Sequence, residues 1–233
     1  MCAKVSKIVN DLDSFLAPAR CFGCNAHLYR GERLLCAFCR NELPLTGYNF
    51  LRENPTDRIF FGRTPVKKAS AMLFYGQSGL VRDLLHQLKY QGRQQIGTFL
   101  GAWYGGVLAA DPGLPRPNWV VPVPLHPRKQ RRRGYNQCRA FGRAVAAQLG
   151  VPYTEKWLQR ASESRTQTGK DRWDRWLEIR DAFRVRESRQ LEGSRILLLD
   201  DVITTGATLE AGCRALFDIP GIQVYVAAMA VVP

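Results

Sequence analysis

Ile196-Leu197-Leu198-Leu199-Asp200-Asp201-Val202-Ile203-Thr204-Thr205-Gly206-Ala207-Thr208 reads as a buried strand that ends in two carboxylates and turns through small residues into a helix. Four consecutive apolar residues leave no polar face, so both sides of this strand are covered, as in a parallel sheet between helices. The run from Thr204 to Thr208 carries small side chains that let a ligand oxygen approach the backbone. Threonine hydroxyls and the unpaired N–H groups of a helix's first turn can donate to a phosphate, and the helix dipole favours an anion there. Two acids beside such a nest would repel a phosphate unless something separated the charges. A ribose 5-phosphate does so: its phosphate fills the nest and its 2- and 3-hydroxyls reach back to Asp200 and Asp201.

Outward from this stretch, strand and helix patterns alternate. KKASAMLFY (67–75) reads as a strand. GLVRDLLHQLKY (79–90) places Leu80, Val81, Leu84, Leu85 and Leu88 at helical spacing. QQIGTFLGAWYGGVLAA (94–110) reads as a second helix, weakened by its glycines. NWVVPVP (118–124) is a strand that runs into prolines. NQCRAFGRAVAAQLG (136–150) is a helix with Phe141, Val145 and Leu149 on its apolar side and Gly150 as its stop. TTGATLEAGCRALFD (204–218) begins a helix, and GIQVYVAAMAVV (221–232) is a long buried strand. This alternation predicts an α/β domain, in which ligands sit beyond the carboxyl ends of the strands.

The seven cysteines are an odd number, which argues against a disulfide framework. Cys21 and Cys24 bracket two residues, as do Cys36 and Cys39, and 11 residues lie between the pairs. Two such knuckles supply the four sulfurs of a tetrahedral zinc, which has no open position and is therefore structural. Gly23 helps the first knuckle turn and Gly31 turns the intervening hairpin. His27 reads as an exposed loop residue, and Cys138 and Cys213 as small core residues. The expected organisation is an N-terminal helix and zinc ribbon over 1–45, a linker over 46–66, and the α/β domain over 67–233.

Of 233 residues, 45% are hydrophobic and 23% are charged, which excludes a disordered chain or a collagen. Lys plus Arg exceed Asp plus Glu by 34 − 20 = 14, which favours polyanionic partners such as nucleic acid or phosphorylated small molecules. No run is long and apolar enough for a membrane span. The opening MCAKVSKIVNDLDSFLAP is broken by Asp11 and Asp13, so it lacks a signal-peptide core. Val5, Ile8, Val9, Leu12, Phe15 and Leu16 instead fall on one side of a helix, and the chain is expected to be cytoplasmic.

The thirteen-residue opening pattern resembles the phosphoribosyl-pyrophosphate (PRPP) motif of type I phosphoribosyltransferases. VPVP (121–124) leads into five cations within residues 128–133 and then GYNQ (134–137). With the four-cysteine ribbon ahead of it, this arrangement resembles the ComF family of competence-associated phosphoribosyltransferase-like proteins. LKYQGR (88–93) fits that family's early helix end. The resemblance implies a type I phosphoribosyltransferase-like parallel sheet flanked by helices, with the small zinc ribbon in front. It implies PRPP binding with Mg²⁺ and transfer of phosphoribose to an acceptor the sequence does not define, in a role connected with DNA uptake or use.

By the same resemblance, Asp200 and Asp201 hold the ribose or the metal's waters, and Thr204, Thr205, Gly206, Ala207 and Thr208 hold the 5-phosphate. The loop after the 118–124 strand holds pyrophosphate through Pro124, Leu125, Arg128 and Lys129. RTQTGKDRWDR (165–175) resembles the mobile loop that closes over PRPP, with Arg165, Gln167 and Lys170 in it. The alternative is a protein that binds single-stranded DNA, with Arg131, Arg132 and Arg133 on phosphates and the PRPP pocket a sensor or non-catalytic.

Overall fold

In a computed structural model of the chain, residues 19–160, 182–186 and 188–233 are described. The expected N-terminal helix and the 165–175 stretch, with Arg165, Gln167 and Lys170, lie outside them. The described strands are β1 (Lys68–Phe74), β2 (Trp119–Pro122), β3 (Leu158–Arg160), β4 (Phe183–Val185), β5 (Arg195–Ile203) and β6 (Gln223–Val231). The α-helices are α1 (Ala37–Asn41), α2 (Pro55–Arg58), α3 (Leu80–Tyr90), α4 (Gln94–Ala109), α5 (Pro127–Arg133), α6 (Cys138–Leu149) and α7 (Ala207–Phe217).

β1, β6, β5 and β2 form one sheet in that order, every pair parallel. Its side chains alternate between two apolar layers. Leu197, Leu199, Tyr225 and Ala227 face the layer shared with α3, α4 and α6. Ile196, Leu198, Val224 and Val226 face the layer built with α7. Both faces are covered, which is why these strands carry unbroken apolar runs.

The end of the sheet is staggered. Leu199 of β5 lies opposite Pro122 of β2 on one side and Ala227 of β6 on the other. β2 ends there, and Val123 makes a last hydrogen bond to the Leu199 carbonyl at 2.8 Å. β5 runs on beside β6 to Ile203, opposite Val231. Asp200 and Asp201 therefore stand where the sheet has lost one neighbour, the place where parallel α/β sheets open a crevice.

The glycines of α4 do not weaken it. They make it pack. A Cβ on Gly101 would lie 2.4 Å from the Phe141 carbonyl oxygen, and one on Gly105 2.9 Å from the Val145 Cα. Bare backbone at these positions lets α4 and α6 approach closely, and the helix reaches 16 residues.

Residues 46–66, expected as a linker, are packed on the body. Phe50 and Phe60 are buried, one in each apolar layer. Asn54 caps α2 in a reciprocal capping box with Asp57. The Asp57 carboxylate accepts from the Ala69 amide at 2.7 Å and from Lys68 Nζ at 2.8 Å, which ties the segment to β1.

The basic stretch after β2, expected as a loop, is the short helix α5. His126 Nδ1 accepts from the Arg128 amide at 3.2 Å, Pro127 opens the helix and left-handed Gly134 ends it. Proline inside the start and glycine past the end are the usual helix punctuation.

Candidate functional site

The two acids at the open end of β5 are held differently. Asp201 is buried, and its Oδ2 accepts from Lys89 Nζ at 2.8 Å and from Gln137 Nε2 at 2.9 Å. Its Oδ1 accepts from the Val202 amide at 2.7 Å. Asp200 is half-buried, and its Oδ1 accepts from the Asp201 amide at 2.8 Å with Cys138 Sγ 4.0 Å away. Among the described residues no donor reaches its Oδ2. Burial, and then the neighbouring Asp201 charge, pushes the Asp200 carboxyl up to about 8. Burial also drives the Cys138 thiol upward. For Lys89 burial opposes the charge, but the Asp201 carboxylate outweighs it and the pKa is raised.

After β5 the chain turns into α7. Thr204, Thr205 and Thr208 are exposed, Ala207 is half-buried and Gly206 is buried. The amides of the first turn of α7 have no partner within the helix, as at any helix start. Gly206 is left-handed, with φ +74°, and a Cβ there would lie 2.6 Å from Ile59 Cγ2. The bare side of Gly206 is filled by Ile59 and Phe60. The open side of the turn is the threonine side.

Arg63, which no motif points to, clamps this turn. Its Nη1 donates to the Thr205 carbonyl at 2.7 Å and to the Ile59 carbonyl at 3.0 Å. Its Nη2 pairs with Glu210, which Arg214 also reaches at 2.5 Å. The only acid in the first turn of α7 is thus countered by two guanidinium groups.

Pro124 and Leu125 are half-buried and line a cavity of about 290 Å³ with Pro122, Gln130, Asn136 and Glu155. Arg128, Lys129, Arg131 and Arg132 are exposed on α5. Arg133 is not part of that exposed run. It donates to Gln137 Oε1 at 2.9 Å and to the Tyr90 hydroxyl at 3.2 Å, with its guanidinium 4.9 Å from the Tyr90 ring centre. Through Gln137 it stands one residue from Asp201. Sequence reasoning also left Lys89 and Gln137 without a role; only the fold brings them to the acids.

The four ribbon cysteines converge, all four Sγ atoms lying within 4.8 Å of one another. Cys24 Sγ and Cys36 Sγ are 3.7 Å apart, close to the ~3.8 Å edge of a tetrahedron with 2.3 Å zinc–sulfur bonds. The amides of Gly23 and Cys36 point at Cys21 Sγ at 3.4 and 3.3 Å. Burial raises the Cys21 thiol, but these amides and that of Cys24 outweigh it and bring it down to about 6. The residues present thus suit a thiolate-bound metal ion. A Cβ on Gly23 would lie 2.8 Å from Cys39 Sγ and 2.7 Å from Leu80 Cδ1, so its bare backbone serves both the cluster and its seat on α3. His27 is exposed and outside the cluster.

Residues 136–229 match the family described as the phosphoribosyl transferase domain. The chain is 26% identical over 212 residues to Competence protein F of Haemophilus influenzae, covering 82% of this chain and 87% of that protein. It is 30% identical over 203 residues to DNA utilization protein YhgH of Escherichia coli O157:H7, covering 82% and 88%. A glutamine PRPP amidotransferase from B. subtilis overlays 62% of this chain and 30% of its own at 18% identity, with a TM-score of 0.43. Fold and site define a phosphoribosyltransferase-like α/β protein with a four-cysteine cluster near its N-terminus. Within that class, the chain belongs to the ComF family. Among the described residues, no helix is long and apolar enough to cross a membrane.

Proposed function

We propose that this chain binds PRPP with Mg²⁺ at the corner between β5 and α7 and transfers its phosphoribose to an acceptor, in a role connected with DNA uptake or use. One adjacency carries the reading: Asp200 and Asp201 stand at the open end of β5, and the turn that follows exposes Thr204, Thr205 and Thr208 at a helix start. The names of the relatives, competence and DNA utilization, support the cellular setting.

In this reading the hydroxyls of Thr204, Thr205 and Thr208 and the first amides of α7 bind the 5-phosphate, while Asp200 and Asp201 accept from the ribose hydroxyls. Transfer breaks the bond from C1 to the pyrophosphate oxygen and builds positive charge on the sugar ring. The Asp201 carboxylate beside the ring favours that charge, and the cations of α5, Arg128 and Lys129, favour the departing pyrophosphate. No nucleophilic side chain is needed; positioning supplies the rate. Both Asp201 oxygens already accept protein hydrogen bonds, so the acid pair forms no cage for a bare cation. That suits Mg²⁺, which keeps waters and binds phosphate oxygens; Asp200 would hold it through one of those waters. Mg²⁺ bound with PRPP supplies charge neutralisation of the pyrophosphate. Cys21, Cys24, Cys36 and Cys39 would hold a structural zinc.

Calorimetry with PRPP and Mg²⁺ tests the reading. Binding should be measurable for the wild type and roughly tenfold or more weaker for Asp200→Asn. No heat from the wild type sinks the proposal.

A second reading, contact with single-stranded DNA, is favoured by the net charge of +14 and the exposed cations of α5. Affinity should fall steeply with salt, and removing Arg131 or Arg132 should each lower the salt slope by about 0.7. Binding that ignores salt would count against it.

A further inference from the structure

The motif that marks the acid pair contains no cation, yet the structure supplies one. Lys89 sits in the last turn of α3, whose Val81, Leu84, Leu85 and Leu88 are buried under the sheet. The Tyr135 hydroxyl donates to the Leu88 carbonyl and pins that turn. From this fixed base Lys89 Nζ reaches Asp201 Oδ2 at 2.8 Å, with side chains only 19% and 12% exposed. Exposed ion pairs contribute little, but a pair this enclosed leaves a costly orphan when one partner is removed. Gln137 donates to the same oxygen and the Val202 amide to the other, so three donors fix the plane of the carboxylate.

We infer that Lys89 is a positioning residue for sugar recognition: it holds the Asp201 carboxylate aimed, and so keeps the acid pair open to a ribose diol. The inference rests on the ribose site proposed above. Without Lys89, the Asp201 side chain would lose its charged donor and turn from its present place beside Asp200. The alternative role, direct contact with pyrophosphate, uses the same ammonium at the other end of the ligand.

Ligand-observed NMR titration, which reads weak affinities, separates these with two probes, ribose 5-phosphate and inorganic pyrophosphate, each with Mg²⁺. Lys89→Met should weaken ribose 5-phosphate roughly ten- to a hundredfold and leave pyrophosphate unchanged. Lys89→Arg should recover most of the loss, which a merely misfolded site would not do. In an Asp201→Asn background, Lys89→Met should cost nothing further. Unchanged ribose 5-phosphate affinity in Lys89→Met, a loss additive with Asp201→Asn, or loss of pyrophosphate instead each overturns the inference while leaving the ribose site standing. A wild type that binds no ribose 5-phosphate removes the site reading itself and the inference with it.

Discussion

Arg63 Nη1 donates to the Thr205 carbonyl at 2.7 Å across 142 residues of sequence, so a segment that joins ribbon to body also sets the shape of the turn before α7. Arg63 counters Glu210 as well, and Glu210 stands in the first turn of α7, where its charge would oppose an arriving phosphate. Arg63→Ala removes the clamp and leaves that charge countered by Arg214 alone. It should weaken ribose 5-phosphate roughly tenfold, and adding Glu210→Gln should restore part of the loss. Titration of the single and double variants checks this; a double variant no better than the single would limit Arg63 to shaping the turn.

Asp200 gives the fold a pH dependence of definite sign. Burial and the Asp201 charge raise its pKa to about 8 in the folded protein, against an ordinary aspartate value when unfolded. Between those values the native state keeps a proton that the unfolded chain releases. Stability from this group is therefore full below the ordinary aspartate pKa and is lost as pH rises to about 8. Asp200→Asn should melt several degrees higher than wild type at pH 8.5 and show little difference at pH 4. Parallel melting curves across that range would remove Asp200 as the source.

Much of this architecture was legible in the sequence. Unbroken apolar runs such as Ile196–Leu199 need cover on both faces, and the helix spacing of Val81, Leu84, Leu85 and Leu88 is met by a buried face. The two cysteine knuckles were legible because one metal constrains their spacing, and their sulfurs do converge. What stayed hidden depends on distant contacts. Nothing local tells that Lys89 meets Asp201, or that Arg133 turns from its basic neighbours toward Gln137. The small residues of 204–208 were legible as a turn, but the Ile59 side chain that fills the bare side of Gly206 comes from a stretch read as linker. Helix α5 could have been found from Pro127 and Gly134 had the charge run not dominated the reading.

The ribbon is seated on α3, and that contact couples the cysteine cluster to the body. Gly23 abuts Leu80, and Gln87 Nε2 donates to the Phe22 carbonyl at 2.9 Å. Cys21, Leu35, Cys36 and Cys39 belong to the same apolar layer as Leu84 and Leu88. Chelation should release about one zinc per chain and loosen more than the ribbon. Hydrogen exchange should quicken in α3 well before it quickens in β5 and β6. A protein purified without metal contradicts the zinc assignment, and an α3 indifferent to chelation contradicts the coupling.

Two glycines of α4 should respond to the same substitution with opposite signs. In an exposed helix interior, Gly→Ala gains roughly 0.5–1 kcal/mol because the unfolded chain loses freedom. Gly106 is exposed with nothing within 4 Å of an added Cβ, so Gly106→Ala should show that gain. At Gly101 the added Cβ would sit 2.4 Å from the Phe141 carbonyl oxygen and 2.9 Å from the Ala144 Cβ. Backbone cannot move aside as a flexible side chain can, and overpacking of this kind costs about 1–3 kcal/mol. The clash exceeds the propensity gain, so Gly101→Ala should destabilise, with a lower urea midpoint at nearly unchanged slope. If both variants gained stability, α4 and α6 would have to be further apart than this fold places them.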